Sequence, residues 1–168
     1  MAERMTGPPW PQGPFVLDLD HLDRMSMASL ASLESRSSVS IGATAGRCEG
    51  QALAAAMAVD LLVAGPHATF GHPGTWANAV IRRGTWIGGR KVMAYLSMTD
   101  RVIDAALAVR WGLVTAMADD PTAEASALAG EIARRSTVAV ATIVGQAHRG
   151  ASADYARAGV TGAAAGSR

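Results

Sequence analysis

Apolar residues in this chain gather in short runs separated by glycine, proline and serine, and the length of each run predicts its element. Phe15-Val16-Leu17-Asp18-Leu19 is too short for a helix and reads as a buried strand, followed by Asp23 or Ser26 as a cap and a small-residue helix to about Ser35. Ser38-Val39-Ser40-Ile41-Gly42-Ala43, bounded by the turn-prone Gly46, predicts a second buried strand. Gly50 opens a helix over Gln51 to about Val59. Its residues Ala52, Ala54, Ala55, Ala56 and Ala58 combine high helix propensity with almost no bulk, so the helix can sit very close to its neighbours. Leu61-Leu62-Val63-Ala64 predicts a strand that ends at Gly65-Pro66, and Ala68-Thr69-Phe70 a short one before Gly71-His72-Pro73-Gly74. Strand, tight turn, small helix, strand therefore repeats. Arg90 to Ser97 and Val102 to Trp111 predict helices, the second stopped by Gly112, and Leu113 to Ala116 a short strand. Pro121 opens a final helix whose apolar positions Ala125, Leu128, Ala129, Ile132 and Ala133 recur at helical spacing as far as Arg135. The pattern resumes from Val144 to His148.

At both ends the pattern fails. Residues 1–14 carry Gly7, Pro8, Pro9, Pro11, Gly13 and Pro14, which favour neither helix nor ladder and predict an extended arm. Residues 151–168, rich in Gly, Ala and Ser from Gly159 onward, predict a flexible tail, and 15–150 a single domain. Hydrophobic residues at 49% against 17% charged supply a core and exclude a disordered chain. A net charge of +1 without a basic run excludes nucleic acid as an expected partner. Cys48 stands alone, so neither a disulfide within the chain nor a cysteine-rich metal site is expected. The most apolar stretch, Ala52 to Ala64, is interrupted by Asp60 and falls short of the roughly 20 residues that span a bilayer. With no leader of signal-peptide type at the start, the expectation is a cytoplasmic protein with no membrane segment and no metal.

From Ser40 to Gly74 the order of features stops being generic: a strand, Gly46, a Gly-opened small-residue helix, Asp60-Leu61-Leu62-Val63-Ala64, then Ala68-Thr69-Phe70-Gly71-His72-Pro73. This resembles the crotonase (enoyl-CoA hydratase/isomerase) family. Val102 to Val114, ending Ala108-Val109-Arg110-Trp111-Gly112-Leu113-Val114, resembles that family's A-x-x-x-G-L-V segment. The resemblance covers roughly Ser38 to Gly150 and implies an α/β, crotonase-like (ClpP/crotonase) spiral of ββα units, truncated at both ends. It further implies an acyl or aryl thioester of coenzyme A or a carrier protein as substrate or ligand. Preorganised backbone N–H groups would stabilise its enolate or oxyanion, with no other cofactor required. Aligned through Asp60, the family's three-glycine stretch falls on Gly50-Gln51-Ala52, which makes the Gln51 N–H one donor. The second donor falls near Leu17, in Leu17-Asp18-Leu19. Gly50, Phe70, Trp76 and Trp86 become candidate substrate-binding residues. Gly50-Gln51-Ala52 with Ala56-Met57 and Gly71-His72-Pro73 is also similar to the Clp-type serine peptidases, but Ala56 stands where their nucleophile would be.

The residues themselves restrict the chemistry. The family's two hydratase glutamates fall on Ala54 and Gly74, and the chain's five glutamates, Glu3, Glu34, Glu49, Glu124 and Glu131, lie too far away to replace them. Hydration by a carboxylate pair is therefore excluded. His72, in the turn where the second acid/base would begin, is the best side-chain candidate for proton transfer, against its alternative as an ordinary turn histidine. Glu49 is a candidate base, or an anion that stabilises a helix start. Arg82, Arg83, Arg90 and Lys91 either meet coenzyme A phosphates or form a solvated face. What remains is decarboxylation, isomerisation, cyclisation or dehydration of a thioester by a crotonase-type lyase or isomerase of a biosynthetic pathway. A non-catalytic accessory subunit assembled with another thioester enzyme is the alternative. A homotrimer or hexamer, or a hetero-assembly, is expected, since a chain this small gains core by association.

Overall fold

A computed structural model describes residues 3–99 and 101–157. Five parallel strands form the main sheet in the order β1 (Glu3–Met5), β2 (Phe15–Asp18), β3 (Ser40–Thr44), β5 (Leu61–Ala64) and β8 (Ala116–Met117). A small second sheet pairs β4 (Arg47–Cys48) with β6 (Thr69–Phe70) in parallel and β6 with β7 (Ile103–Asp104) antiparallel. Two consecutive units share one plan: β3, β4 and α2 (Gly50–Ala56), then β5, β6 and α3 (Ala77–Met98). Each gives its first strand to the large sheet and its second to the small one. This is the α/β spiral of ββα units expected from the sequence.

β2 and β3 are buried along their whole length because helices cover both faces of the sheet. Alternation sorts their side chains. Phe15 and Leu17 join Leu53, Phe70, Met93 and Leu96 on the side of α2 and α3. Val16, Ile41, Ala43 and Val63 meet Ala125 and Ala129 of α5 (Pro121–Ala133) and Val144 of α6 (Thr137–Arg157) on the other. Two helix starts follow the expected chemistry: Ser26 Oγ accepts from Ser29 N at 3.0 Å ahead of α1 (Met27–Glu34), and Pro121 opens α5 behind the cap Asp120.

Other expectations shift. The arm is not free of ladder, since Glu3–Met5 precedes the first proline and pairs with β2, where Arg4 ion-pairs with the buried Asp18. The helix expected from Val102 begins at Ala105: Ile103 pairs with Phe70, and Asp104 caps α4 (Ala105–Arg110) by accepting from Leu107 N at 2.7 Å. The strand expected at Leu113 to Ala116 forms only at Ala116–Met117. The helix expected from Arg90 starts earlier: a 3-10 turn (Gly74–Trp76) runs into α3, which breaks at Gly89 with φ 80°. α6 continues to Arg157, through the first part of the expected tail, and 158–168 lie outside the described residues.

One carboxylate ties these layers together. Asp60 Oδ2 accepts from Ser40 N and Ser40 Oγ, each at 2.8 Å, and Asp60 Oδ1 lies 2.7 Å from His148 Nε2 on α6. Burial pushes the Asp60 carboxyl up, but the bonds from His148 and Ser40 outweigh it and leave its pKa lowered. The same contact raises the pKa of His148, although burial opposes it. The depressed carboxylate stabilises the fold above its unfolded pKa and loses that contribution as pH falls. The raised imidazole stabilises the fold below its unfolded pKa and loses it as pH rises. The pair therefore contributes fully between about pH 4 and 6.5 and fades on either side. Denaturant unfolding followed across pH is expected to show His148→Gln losing about 1–2 kcal/mol near pH 6 and less as pH rises through the raised pKa of His148. An identical loss at every pH would contradict this account.

Candidate functional site

The N-terminal end of α2 is built largely from backbone. Gly50 sits at φ 52°, a conformation that suits glycine, and its N–H donates to His72 O at 3.1 Å. His72 itself adopts φ 45° and is half-buried. The next amides, Ala52 N and Leu53 N, turn onto Glu49 O at 3.0 and 3.4 Å. The Gln51 N–H lies between them and has no acceptor among the described residues. It is thus a backbone donor left over by the geometry of the helix start.

The Gln51 side chain is itself engaged. It folds back onto the loop before α1, where Oε1 accepts from Met25 N at 3.2 Å and Nε2 donates to Leu22 O at 3.4 Å and Asp23 O at 3.3 Å. Glu49 does not cap the helix with its carboxylate. That group accepts from Arg47 Nη2 at 2.7 Å and Nε at 3.0 Å. Cys48, wholly buried beside them, has its thiol pushed up by burial and by the charges of Asp20 and Glu49, so it is no nucleophile.

Glu49, Gly50, Gln51 and His72 thus meet at one place, with Phe70 buried in the core behind them and Trp76 packed against that core from the 3-10 turn. Leu17 does not join them. It is buried in β2 between β1 and β3, in register with Met5 and Gly42, and the bonds from Phe15 N to Val39 O and Leu19 N to Ala43 O put its amide in the same ladder. Trp86 also lies elsewhere, in a cavity at the other end of α2. Arg83 is not a phosphate contact: it is 1% exposed and ion-paired with Glu34. Ala54, at the first hydratase position, is fully buried, and Gly74, at the second, carries no side chain. Sequence reasoning missed the Asp60–His148 contact, whose members are 88 positions apart. Among the described residues no group of three or more His, Cys, Asp or Glu is placed to hold a metal, and no helix is long and apolar enough to cross a membrane.

Neither a protein-family model nor a curated protein matches the sequence. Solved structures do. An enoyl-CoA hydratase from Mycobacterium smegmatis superposes with a TM-score of 0.66 at 26% identity, over 74% of this chain and 60% of that one. An enoyl-CoA hydratase from Mycobacterium paratuberculosis gives 0.66 at 27%, over 74% and 59%. The chain has the fold of these crotonase-family structures and is similar to them as a divergent, shortened chain. A third crotonase-fold structure, an enoyl-CoA hydratase from Mycobacterium avium, gives 0.70 at 25% identity over 86% of this chain and 71% of that one. The chain spans about 60% of the length of the first two hydratases.

Replacing the Gln51 side chain is expected to release the loop without removing the amide. In Gln51→Ala, hydrogen exchange at Met25 N should accelerate about ten-fold while global stability falls by about 1 kcal/mol. Unchanged exchange at Met25 would show that the glutamine does not hold the loop.

Proposed function

We propose that this crotonase-fold protein binds an acyl or aryl thioester of coenzyme A or a carrier protein at the N-terminal end of α2, with the thioester oxygen on the Gln51 N–H. The observation that carries this reading is the Gln51 amide, which lacks an acceptor at the position where the family's glycine stretch aligns and lies beside His72. A backbone donor of this kind stabilises a developing oxyanion without reorganising during the reaction. With Ala54 and Gly74 at the two hydratase positions, the chemistry is a decarboxylation, isomerisation, cyclisation or dehydration, in which His72 transfers the proton. A biosynthetic pathway suits a chain stripped of the hydration machinery.

A second reading has its own support. The Leu17 amide is enclosed in the β2 ladder, and the Leu19 amide donates to Ala43 O at 2.9 Å, so neither is available as the second donor of an oxyanion hole. A site with one donor and no carboxylate pair suits an accessory subunit that holds a thioester, or an assembly, for another enzyme.

Calorimetry with crotonyl-CoA, benzoyl-CoA and free coenzyme A tests both readings. The two thioesters are expected to bind more tightly than coenzyme A and to shift the Gln51 amide resonance. If the protein is an enzyme, His72→Asn, which keeps the backbone conformation accessible, should lower turnover by about 10²–10⁴ with little change in binding. Binding without turnover, joined to acceleration of a partner enzyme, selects the accessory role. No binding of any thioester, on coenzyme A or a carrier protein, together with no acceleration of a partner thioester enzyme, overturns both.

A further inference from the structure

The loop between β2 and α1 holds a histidine–aspartate pair. Asp18 ends β2 and is 2% exposed. Both of its oxygens are engaged: Oδ1 accepts from Asp20 N at 3.1 Å and His21 N at 3.3 Å, and Oδ2 takes the Arg4 ion pair and lies 3.0 Å from His21 Nδ1. A carboxylate paired with a guanidinium is an acceptor only, so the proton between it and the ring belongs to Nδ1. Nε2 of the neutral ring then keeps its lone pair, has no partner among the described residues, and belongs to a side chain that is 73% exposed. A buried aspartate that fixes the tautomer of an accessible imidazole is how an acid–base histidine is oriented.

The residues on either side of His21 bring the ring to the start of α2. Before it, Asp20 accepts from Thr44 Oγ1 and Ala45 N, each at 2.7 Å, and from Gly46 N at 3.2 Å, which ties the loop to the turn leading into β4. After it, Leu22 O and Asp23 O accept from Gln51 Nε2 at 3.4 and 3.3 Å. His21 is therefore fastened between the end of β3 and the residue whose amide has no acceptor. The arm braces the same loop, since Asp23 N donates to Thr6 O at 2.8 Å and Thr6 Oγ1 to Asp23 Oδ2 at 2.7 Å. These contacts stand at the C-terminal ends of the parallel strands β2 and β3, the side on which open α/β sheets bind ligands.

We propose that His21, oriented by Asp18, takes a proton from the carbon next to the thioester carbonyl, a role that rests on the thioester oxygen occupying the Gln51 N–H. His21 Nε2 bonds to the proton as the C–H bond breaks, and the electron pair of that bond moves into an enolate whose oxygen stays on the Gln51 N–H. Return of a proton to carbon, from the cationic ring or from His72 with solvent resetting both imidazoles, leaves no net charge. Asp18 stays ionised throughout and is a positioning residue.

Phenylacetyl-CoA in deuterium oxide reads this step by itself. The wild type is expected to place deuterium on the carbon beside the carbonyl, followed by mass spectrometry. His21→Gln should slow labelling by about 10²-fold while the dissociation constant from calorimetry changes by less than about three-fold. Asp18→Asn should slow it by about ten-fold or more, and added imidazole should restore part of the rate in His21→Ala but not in Asp18→Asn. Independently of any thioester, ¹⁵N spectra of the neutral His21 ring should show the Nδ1–H tautomer, which supplies the readout if Asp18→Asn does not fold. Labelling at the wild-type rate in His21→Gln, or a ring proton on Nε2, overturns the assignment. Binding of phenylacetyl-CoA without labelling by the wild type strikes the role of His21 alone, whereas no binding of phenylacetyl-CoA or phenylacetyl-pantetheine strikes the thioester site beneath it as well.

Discussion

The helix Gly50–Ala56 presents four alanines and one leucine to the interior, all buried, where it packs against α3 and the Gly74–Trp76 turn. Alanine side chains add little bulk to this face, so both neighbours pack directly against the helix and fix where it lies. The same packing explains the missing acid at position 54. Ala54 has no exposed surface, so a glutamate there would place a carboxylate in apolar contact, at a cost that only a partner or a wider cavity would offset. The core has closed over the place where such a side chain would stand.

The two ends of this helix are made in different ways. At its start the geometry is carried by main-chain groups, with Gly50 N on His72 O and the Gln51 amide without an acceptor among the described residues, while nearby side chains are engaged elsewhere. At its end the geometry is carried by side chains from distant parts of the chain, converging on Asp60 and Arg83. A backbone site tolerates wide sequence change around it, which accords with about a quarter identity to crotonase-fold hydratases at a shared architecture.

This contrast also decides what was legible in the sequence. The strands Phe15–Asp18, Ser40–Thr44 and Leu61–Ala64 and the alanine-rich helix are local patterns of size and polarity, and they appear where they were expected. The meeting of Gly50, Gln51 and His72 was legible because turn residues at fixed spacing specify it. β1 was not, because three residues before a proline cluster carry no periodicity, and only pairing with β2 and the Arg4–Asp18 contact makes them a strand. The Leu17 amide looked available because a single strand does not reveal whether a neighbour lies on each side. Arg83 read as a surface charge because nothing local marks it as the partner of Glu34, 49 residues earlier.

His72 offers its carbonyl to Gly50 from a left-handed backbone conformation. Few residue types enter that region readily: glycine at no steric cost, and asparagine, aspartate and histidine more often than the rest. Drift at this position is thereby channelled toward a set in which three of the four members carry a short polar group. A lineage that keeps only the scaffold would still hand down, at the mouth of the helix, a side chain able to take up or release a hydrogen bond.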